Sequence, residues 1–488
     1  MRLLIRSITL ATLFALLSAC GGTTDSDMSP STPGAAINSV VNSASGSTTN
    51  DNTVGGTVSG IVGSGLALRL NGGAPLLITA NGTFTFPITI ASGSNYLVTV
   101  SAQPANPAQT CVLNGASGTV GGSAITNVIV TCTSAPRRFA YVGTHDGIYC
   151  FAVEATSGAL VPLATPQCDS GDLVAVVADP AGPFVYATDR SGGLPGNVRA
   201  YQVDSASGKL VRLGAIASEP STQVNPVAIV VDPSGRFVYV ANYDSSSISG
   251  YAINRTTGML TSLPRSPFAA GQFPDALAIT PSGQFLYTAN AGSNDASAFA
   301  IDATTGALTA VPGSPFAVGP WASVLTIDPA SRFVFVARPS GWMSMNSVSA
   351  FQIDRSTGAL SPVPGSPFMA GFDPTGAAVD AGGAFLYVTI GPCIPEISSA
   401  TCNSILGYAI DPVTGALSPL PGFPLALPTE PDNITLQGDL AYISNGTDGT
   451  ISMFSIDEAT GALTQISGSP VGGSGTATSG EFNISFAP

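Results

Sequence analysis

Residues 235 to 263, GRFVYVANYDSSSISGYAINRTTGMLTSL, decide the fold. The stretch holds an aromatic, mostly alternating strand (Phe237 to Val240), a loop, a second strand (Ser249 to Ile253), the turn Asn254 to Gly258 and a third short strand. A fourth apolar run, such as Ala276 to Thr280, separates it from its next copy. Copies begin near Arg138, Pro183, Arg236, Gln284, Arg332, Ala384 and Asp439. The turn glycines that mark them, Gly158, Gly208, Gly258, Gly306, Gly358, Gly415 and Gly461, stand 46 to 57 residues apart. Four short strands recurring at about 40 to 50 residues are the mark of propeller blades. An all-β, seven-bladed β-propeller is therefore predicted over residues 136–488. In each turn an Asp or Asn side chain can bond the backbone, and glycine accepts the left-handed conformation. That gives the glycines a structural role, not a phosphate-cradling one.

The first copy lacks its upstream apolar run, and the chain finishes on an unpaired one, Phe482 to Phe486. Joining the two closes the ring and removes exposed strand edges. Ahead of the propeller, residues 54–134 read as seven short strands between Gly, Asn and Pro turns, from TVSGIV to NVIVTCT, which predicts a small β-sandwich of Ig-like type. Residues 21–53 have few large apolar groups and much Ser, Thr, Gly and Asn, as a disordered tether does.

The first twenty residues set Arg2 and Arg6 ahead of an apolar run, Ile8 to Leu17, too short to span a bilayer, and end in Leu17-Ser-Ala-Cys20. This ending resembles the lipobox of bacterial lipoproteins, which implies cleavage and lipidation of Cys20, export, and anchoring in the cell envelope, at the outer membrane. Cleavage would leave 13 positive against 29 negative residues, a balance that repels phosphate backbones and argues against nucleic acid as a partner. Only 9% of residues are charged, so solubility rests largely on Ser, Thr, Asn and Gly. Six further cysteines fall in local pairs, Cys111 with Cys132, Cys150 with Cys168 and Cys393 with Cys402, and three disulfides are the economical reading in an oxidising compartment. A metal site is disfavoured, since these spacings do not repeat and His145 is the sole histidine. No cofactor is expected.

Arg236 to Asn242, Gly250 to Ile253, Thr257-Gly258 and the turn Asp232 to Gly235 together resemble the lactonase-type seven-bladed propellers, the family of the propeller 6-phosphogluconolactonases and of a muconate-lactonising enzyme. The resemblance covers residues 136–488. It implies a histidine with arginine and acidic partners at the channel mouth. The sole histidine lies in Thr144-His145-Asp146, and the sequence matches it to no catalytic position. Gly56 to Gly60 with Cys111 and Cys132 resemble a module of bacterial lipoproteins and surface proteins, which implies a spacer or display role.

Repetitive turns on one face leave the variable loops on the other, where function usually resides. Candidate ligand-binding residues there are Asp189, Arg190, Asn242, Tyr243, Asp244, Asn290, Arg338 and Trp342. His145 and Asp146 are candidates for acid–base work, set against a plain loop histidine. Asp189, Asp244, Asp295 and Asp448 read as solvated carboxylates, with no calcium-loop pattern. Trp342, Met343 and Met345 form either a contact patch or loop packing. The Ser-Pro-Phe triplets at 266–268, 314–316 and 366–368 read as packing between blades. Two functions remain: a non-catalytic envelope module binding a polymer, small ligand or protein, which the sequence favours, and an exported lactone hydrolase.

Overall fold

The second strand of each blade is an unbroken apolar run because a blade's middle is covered on both sides. Phe237–Asn242, Phe285–Asn290, Phe333–Arg338 and Phe385–Ile390 are buried at every residue. In the computed structural model, which describes residues 51–487 apart from 62–63, 105–108, 135–137, 192–194, 215–221, 339–346, 393–400, 447 and 473–482, these strands are the spines of seven antiparallel sheets. No helix occurs among the described residues. Cys20 and most of the expected tether lie outside them.

Each blade runs outward from an inner strand. Blade 3 is typical: Pro226–Val231, Phe237–Asn242, Ser247–Ile253 and Leu260–Ser262 pair in that order, and Phe268–Ala269 returns to pair the third strand. The Ser-Pro-Phe triplets make that return. Ser266, Ser314 and Ser366 Oγ accept the third-strand N–H of Gly250, Ala298 and Ala350 at 2.9 Å each, so they clip strands within a blade. The packing between blades expected of the triplets falls to their rings, since Phe268, Phe316 and Phe368 lie in core clusters that include Leu286, Val334 and Leu386 of the following blades.

Contact between blades is carried by a tyrosine and a glycine. Tyr141, Tyr186, Tyr239, Tyr287, Tyr387 and Tyr442 each donate a hydroxyl to the carbonyl of the following blade's turn glycine, Gly208, Gly258, Gly306, Gly358, Gly461 and Gly158, at 2.7–3.0 Å. Burial pushes all six phenols well above the ordinary tyrosine range, so each remains a donor at physiological pH. The last of the six bonds joins blade 7 to blade 1. In blade 5 the position is Phe335, and the bond is missing. Five of these glycines also lie against a phenylalanine of the preceding blade, and Gly158 against Leu440: a Cβ at Gly306 would stand 2.5 Å from Phe237 and one at Gly358 2.4 Å from Phe285.

The C-terminal strand Ile484–Ala487 pairs Arg138–Thr144 and completes blade 1. Asn483 beside it bonds both N–H and C=O of Val176 at 2.7 Å, stitching blade 1 to blade 2. Cys150–Cys168 ties the third and fourth strands of blade 1, and Cys111–Cys132 joins facing residues of two N-terminal strands. Cys402 is disulfide-bonded, whereas Cys393, its expected partner, lies outside the described residues.

The N-terminal region holds two four-stranded sheets around one core that includes Val54, Leu66, Leu68, Phe86, Val128 and Val130. Its first strand, Asp51–Ser59, begins three residues before the expected boundary and runs parallel to Ile125–Ser134.

Candidate functional site

The inner strands open onto the variable-loop face through one recurring hydrogen bond. The N–H just past the second strand donates to a residue one blade position inward: Arg190 to Asp172, Tyr243 to Asn225, Ala291 to Phe273, Gly391 to Asp373 and Gly446 to Glu430, at 2.8–3.0 Å. Trp321 holds the matching place in blade 5, two residues before Ser323 of the channel wall. Asn225, Phe273, Trp321 and Asp373 share a left-handed backbone, with φ of 58°, 55°, 55° and 55°. One backbone pattern therefore sets six different side chains around the channel. Beneath them lies a cavity of about 570 Å³ walled by Ala175, Val227, Asp275, Ser323, Thr375 and Asp432 among others, within the size range of small-molecule sites.

His145 stands at this rim, but Asp146 is not its partner. Its Nδ1 lies 2.7 Å from Asp172 Oδ1, a residue 27 positions later. Arg190 bridges the group, with Nε 3.2 Å from Asp172 Oδ2, Nη2 3.2 Å from Asp172 Oδ1 and Nη1 3.1 Å from Asn225 Oδ1. Arg190 Nη2 also approaches His145 Nδ1 at 3.3 Å. All three titratable side chains remain partly exposed, at 33%, 32% and 20% for His145, Asp172 and Arg190. In the tautomer whose Nδ1–H donates to the Asp172 carboxylate, Nε2 is the basic nitrogen. Blades 1 and 2 thus assemble a base, its orienting acid and a cation at one spot, and blade 3 adds Asn225. Asp146 is exposed and outside this cluster.

Further round the rim the chemistry turns aromatic. Tyr243 and Phe273 stack with centroids 4.9 Å apart and planes 15° from parallel. Phe273 is 39% and Trp321 57% exposed. Asp373 follows, its carboxyl pushed up by burial.

Four expected ligand residues prove to be interior clips. Asn242 and Asn290 are fully buried, and their amides donate to third-strand side chains: Asn242 to Ser247 and Ser249, Asn290 to Asp295 and Ser297. Asp189 is 3% exposed and accepts from Arg199 Nε at 2.7 Å, in a network with Asp169 and Tyr201. Arg338 is buried beside Ser347, and its Nε has no hydrogen-bond partner among the described residues. Each ends a second strand, where the side chain turns back onto its own blade. Asp189 is therefore bonded within its blade and is not a solvated carboxylate, while Asp295 is half-buried and accepts from Asn290, Asp448 accepts from Thr450 and Asp244 is exposed. Arg190 and Tyr243, one residue beyond two of these clips, reach the rim. Trp342, Met343 and Met345 lie outside the described residues. The sequence reading missed Asp172, Asn225, Phe273, Trp321 and Asp373; the signal available was their shared place just ahead of each inner strand.

Residues 127–263 and 215–320 match the family described as "Lactonase, 7-bladed beta-propeller". Two curated 6-phosphogluconolactonases are similar, that of Formosa agariphila (33% identical over 147 residues, 27% of this chain and 40% of the relative) and that of Sodalis glossinidius (30% over 157 residues, 28% and 44%). The alignments thus span less than half the length of the curated relatives. Among solved structures, a protein of Bacteroides uniformis provisionally assigned as a 6-phosphogluconolactonase superposes with TM-score 0.59 at 18% identity over 72% of this chain and 100% of that one. The periplasmic gluconolactonase PpgL of Pseudomonas aeruginosa does so with TM-score 0.56 at 18% identity over 71% and 99%. At that identity the likeness is one of fold, and the fold is a lactonase-like seven-bladed propeller.

Proposed function

We propose that the propeller hydrolyses a sugar lactone at its channel mouth, with His145 as general base, Asp172 as its orienting acid and Arg190 as the oxyanion-stabilising cation. The observation that carries this is the meeting of the three side chains on the variable-loop face, which sequence order alone conceals. His145 Nε2 takes a proton from water, and the water oxygen bonds to the lactone carbonyl carbon. The Arg190 guanidinium, aligned by Asn225, stabilises the charge that develops on the carbonyl oxygen. When the intermediate collapses, the ring C–O bond breaks and the imidazolium returns its proton to the leaving ring oxygen, giving the hydroxy acid. Relatives named 6-phosphogluconolactonase and a fold neighbour named gluconolactonase support the reaction class. Export and anchoring through Cys20 complete the reading and place the reaction in the envelope.

One observation favours the alternative, a binding or display module without catalysis. Arg190 is already engaged by Asp172 and Asn225, as in a structural bridge between blades. Protein lacking residues 1–20 should therefore be screened for turnover of aldono-1,5-lactones. His145→Ala is expected to lower kcat about 100-fold or more with unchanged thermal unfolding, and Arg190→Lys to lower it less. Absence of turnover on every lactone, with a specific envelope partner recovered, would establish the display role instead. Cys20→Ser should move the full-length protein from the membrane to the soluble fraction.

A further inference from the structure

We propose that Asp189 and Arg199, a buried ion pair of blade 2, are positioning residues for the His145–Asp172–Arg190 cluster, holding the short link from Cys168 to Asp172 that carries the orienting carboxylate. Their effect on turnover rests on the hydrolase reading above; their effect on His145 does not.

Three observations converge. The first is a break in a repeated pattern. Where the second strand ends, blades 3, 4 and 7 join it to the third by an uncharged pair, Asn242 with Ser249, Asn290 with Ser297 and Asn445 with Ser452, at 2.9–3.0 Å. By register, the same two places in blade 2 hold Asp189 and Arg199. Both side chains are nearly enclosed, at 4% and 7% exposure, and Arg199 Nε donates to Asp189 Oδ2 at 2.7 Å. Burying two charges carries a desolvation cost that an uncharged pair avoids. The ionic pair stands in the blade that also carries Arg190.

Second, the arginine reaches beyond its own blade. Its Nη1 donates to the Ser170 carbonyl at 2.7 Å and to Asp169 Oδ2 at 3.1 Å, and the Tyr201 hydroxyl donates to the same carboxylate oxygen at 2.7 Å. A serine in its place is too short for these bonds. The link passes so close that a Cβ on Gly171, whose φ is 135°, would stand 2.7 Å from Arg199 Nη2 and 2.6 Å from Ser191 Oγ. Third, the other oxygen of Asp189 acts on the far end of the link. Asp189 Oδ1 accepts the Ser191 N–H at 2.8 Å, Ser191 Oγ accepts the Asp172 N–H at 2.6 Å, and the Asp172 carbonyl accepts the Arg190 N–H at 3.0 Å. Upstream, Cys168 is tied to Cys150. Blade 1 therefore fixes the start of the link and blade 2 the rest. His145 and Asp172 are too exposed, at 33% and 32%, for packing alone to hold them, so the backbone beneath Asp172 sets where its carboxylate points. A misplacement of about 1 Å in such a group costs a rate of about a hundred-fold.

The test installs the uncharged clip of blade 3 in blade 2. Asp189→Asn with Arg199→Ser keeps a junction that three blades already use and removes the reach to Ser170 and Asp169. His145 is the sole histidine, so its imidazole nitrogen NMR signals, read in the neutral ring, report without any substrate whether Nδ1 still donates to Asp172. The double variant should unfold as cooperatively as the parent, and its His145 signals should lose their single-tautomer pattern. Its kcat on glucono-1,5-lactone should fall about ten-fold or more, with KM within about two-fold of the parent. Arg199→Lys, which keeps the charge, should fall between the parent and the double variant. Ser191→Ala, at an exposed residue, should shift the same signals by less, and it decides the matter if the double variant does not fold. Altered His145 signals with no turnover of lactone in the parent, or with unchanged kcat, would retain the positioning role and reject His145 as the base. Unchanged signals in the folded double variant, or in Ser191→Ala where the double variant does not fold, would overturn the positioning role and leave the hydrolase standing.

Discussion

The same seven inner and second strands meet two different ends. At the turn end every blade repeats itself: an Asp, Asn or Glu opens the turn between third and fourth strands, a left-handed glycine closes it, and six tyrosines latch those glycines to the neighbouring blade. At the loop end the backbone also repeats, through a hydrogen bond at five of the rim residues and a left-handed φ that Trp321 shares with three of them, yet the side chains there run Asp172, Asn225, Phe273, Trp321, Asp373 and Glu430. Repetition of both backbone and side chain marks a structural requirement. Repetition of the backbone alone marks a frame on which chemistry varies. His145, Asp172 and Arg190 meet on one arc of that frame and the aromatic rings on the next.

The sharpest way to break the turn-end symmetry is to open the ring. Deleting residues 483–488 removes the inner strand of blade 1 and the Asn483 stitch to Val176. Loss of cooperative thermal unfolding of the propeller is expected, and a truncated protein that melts like the full chain would refute ring closure as a requirement. Next in size is Gly306→Ala. The new Cβ meets the Phe237 ring on a backbone with φ of 71°, so a loss of about 2–4 kcal/mol is expected by denaturant unfolding. At the rim the backbone demand has the opposite outcome: Trp321→Gly relieves a left-handed aromatic and should leave stability within about 1 kcal/mol of the parent, by the same measurement.

The latch itself supplies a smaller contrast. Tyr239→Phe leaves the Gly306 carbonyl without its 2.7 Å donor in a buried place and should cost about 1–2 kcal/mol. Blade 5 already lives without that bond, so Phe335→Tyr should add about 0.5–1 kcal/mol. Chemical denaturation of the two single variants checks both signs.

Sequence reading reached the blade count because strand alternation and the glycine period are local signals. It assigned each glycine one role, the turn, since its second role depends on a phenylalanine or tyrosine far upstream: Tyr239 and Gly306 are 67 residues apart. Asn242 and Asn290 looked like loop residues because they are polar and end apolar runs. Their burial was encoded in a serine seven positions on, Ser249 and Ser297, which returns across the hairpin to meet the amide. His145 was visible and its partner was not, because Asp172 enters from the next blade's inner strand, and adjacency in sequence pointed to Asp146. The ring of rim residues stayed hidden for the same reason: their side chains range from carboxylates and an amide to aromatics, and only the backbone shows that they share a place.

The finest contrast between the two ends is electrostatic. At the turns, Asp204, Asp302, Asp354, Asp411 and Asp457 accept hydrogen bonds from the residues two and three positions on, which hold their carboxyls below the usual carboxylate range. A carboxyl with a depressed folded-state pKa contributes stability that is present above its unfolded pKa and lost as pH falls through the folded one. At the rim, burial pushes Asp373 the other way, so its ionised form opposes folding at neutral pH and the penalty disappears as the pH drops below its raised value. Asp302→Asn, which keeps an acceptor but removes the proton, should flatten the loss of thermal stability seen on acidification below the usual carboxylate range. Asp373→Asn should raise the melting temperature at pH 7 and have no such effect at pH 3. Melting curves of the two variants across pH would separate the ends: equal and parallel profiles would mean that the rim carboxylate is as well solvated as those of the turns.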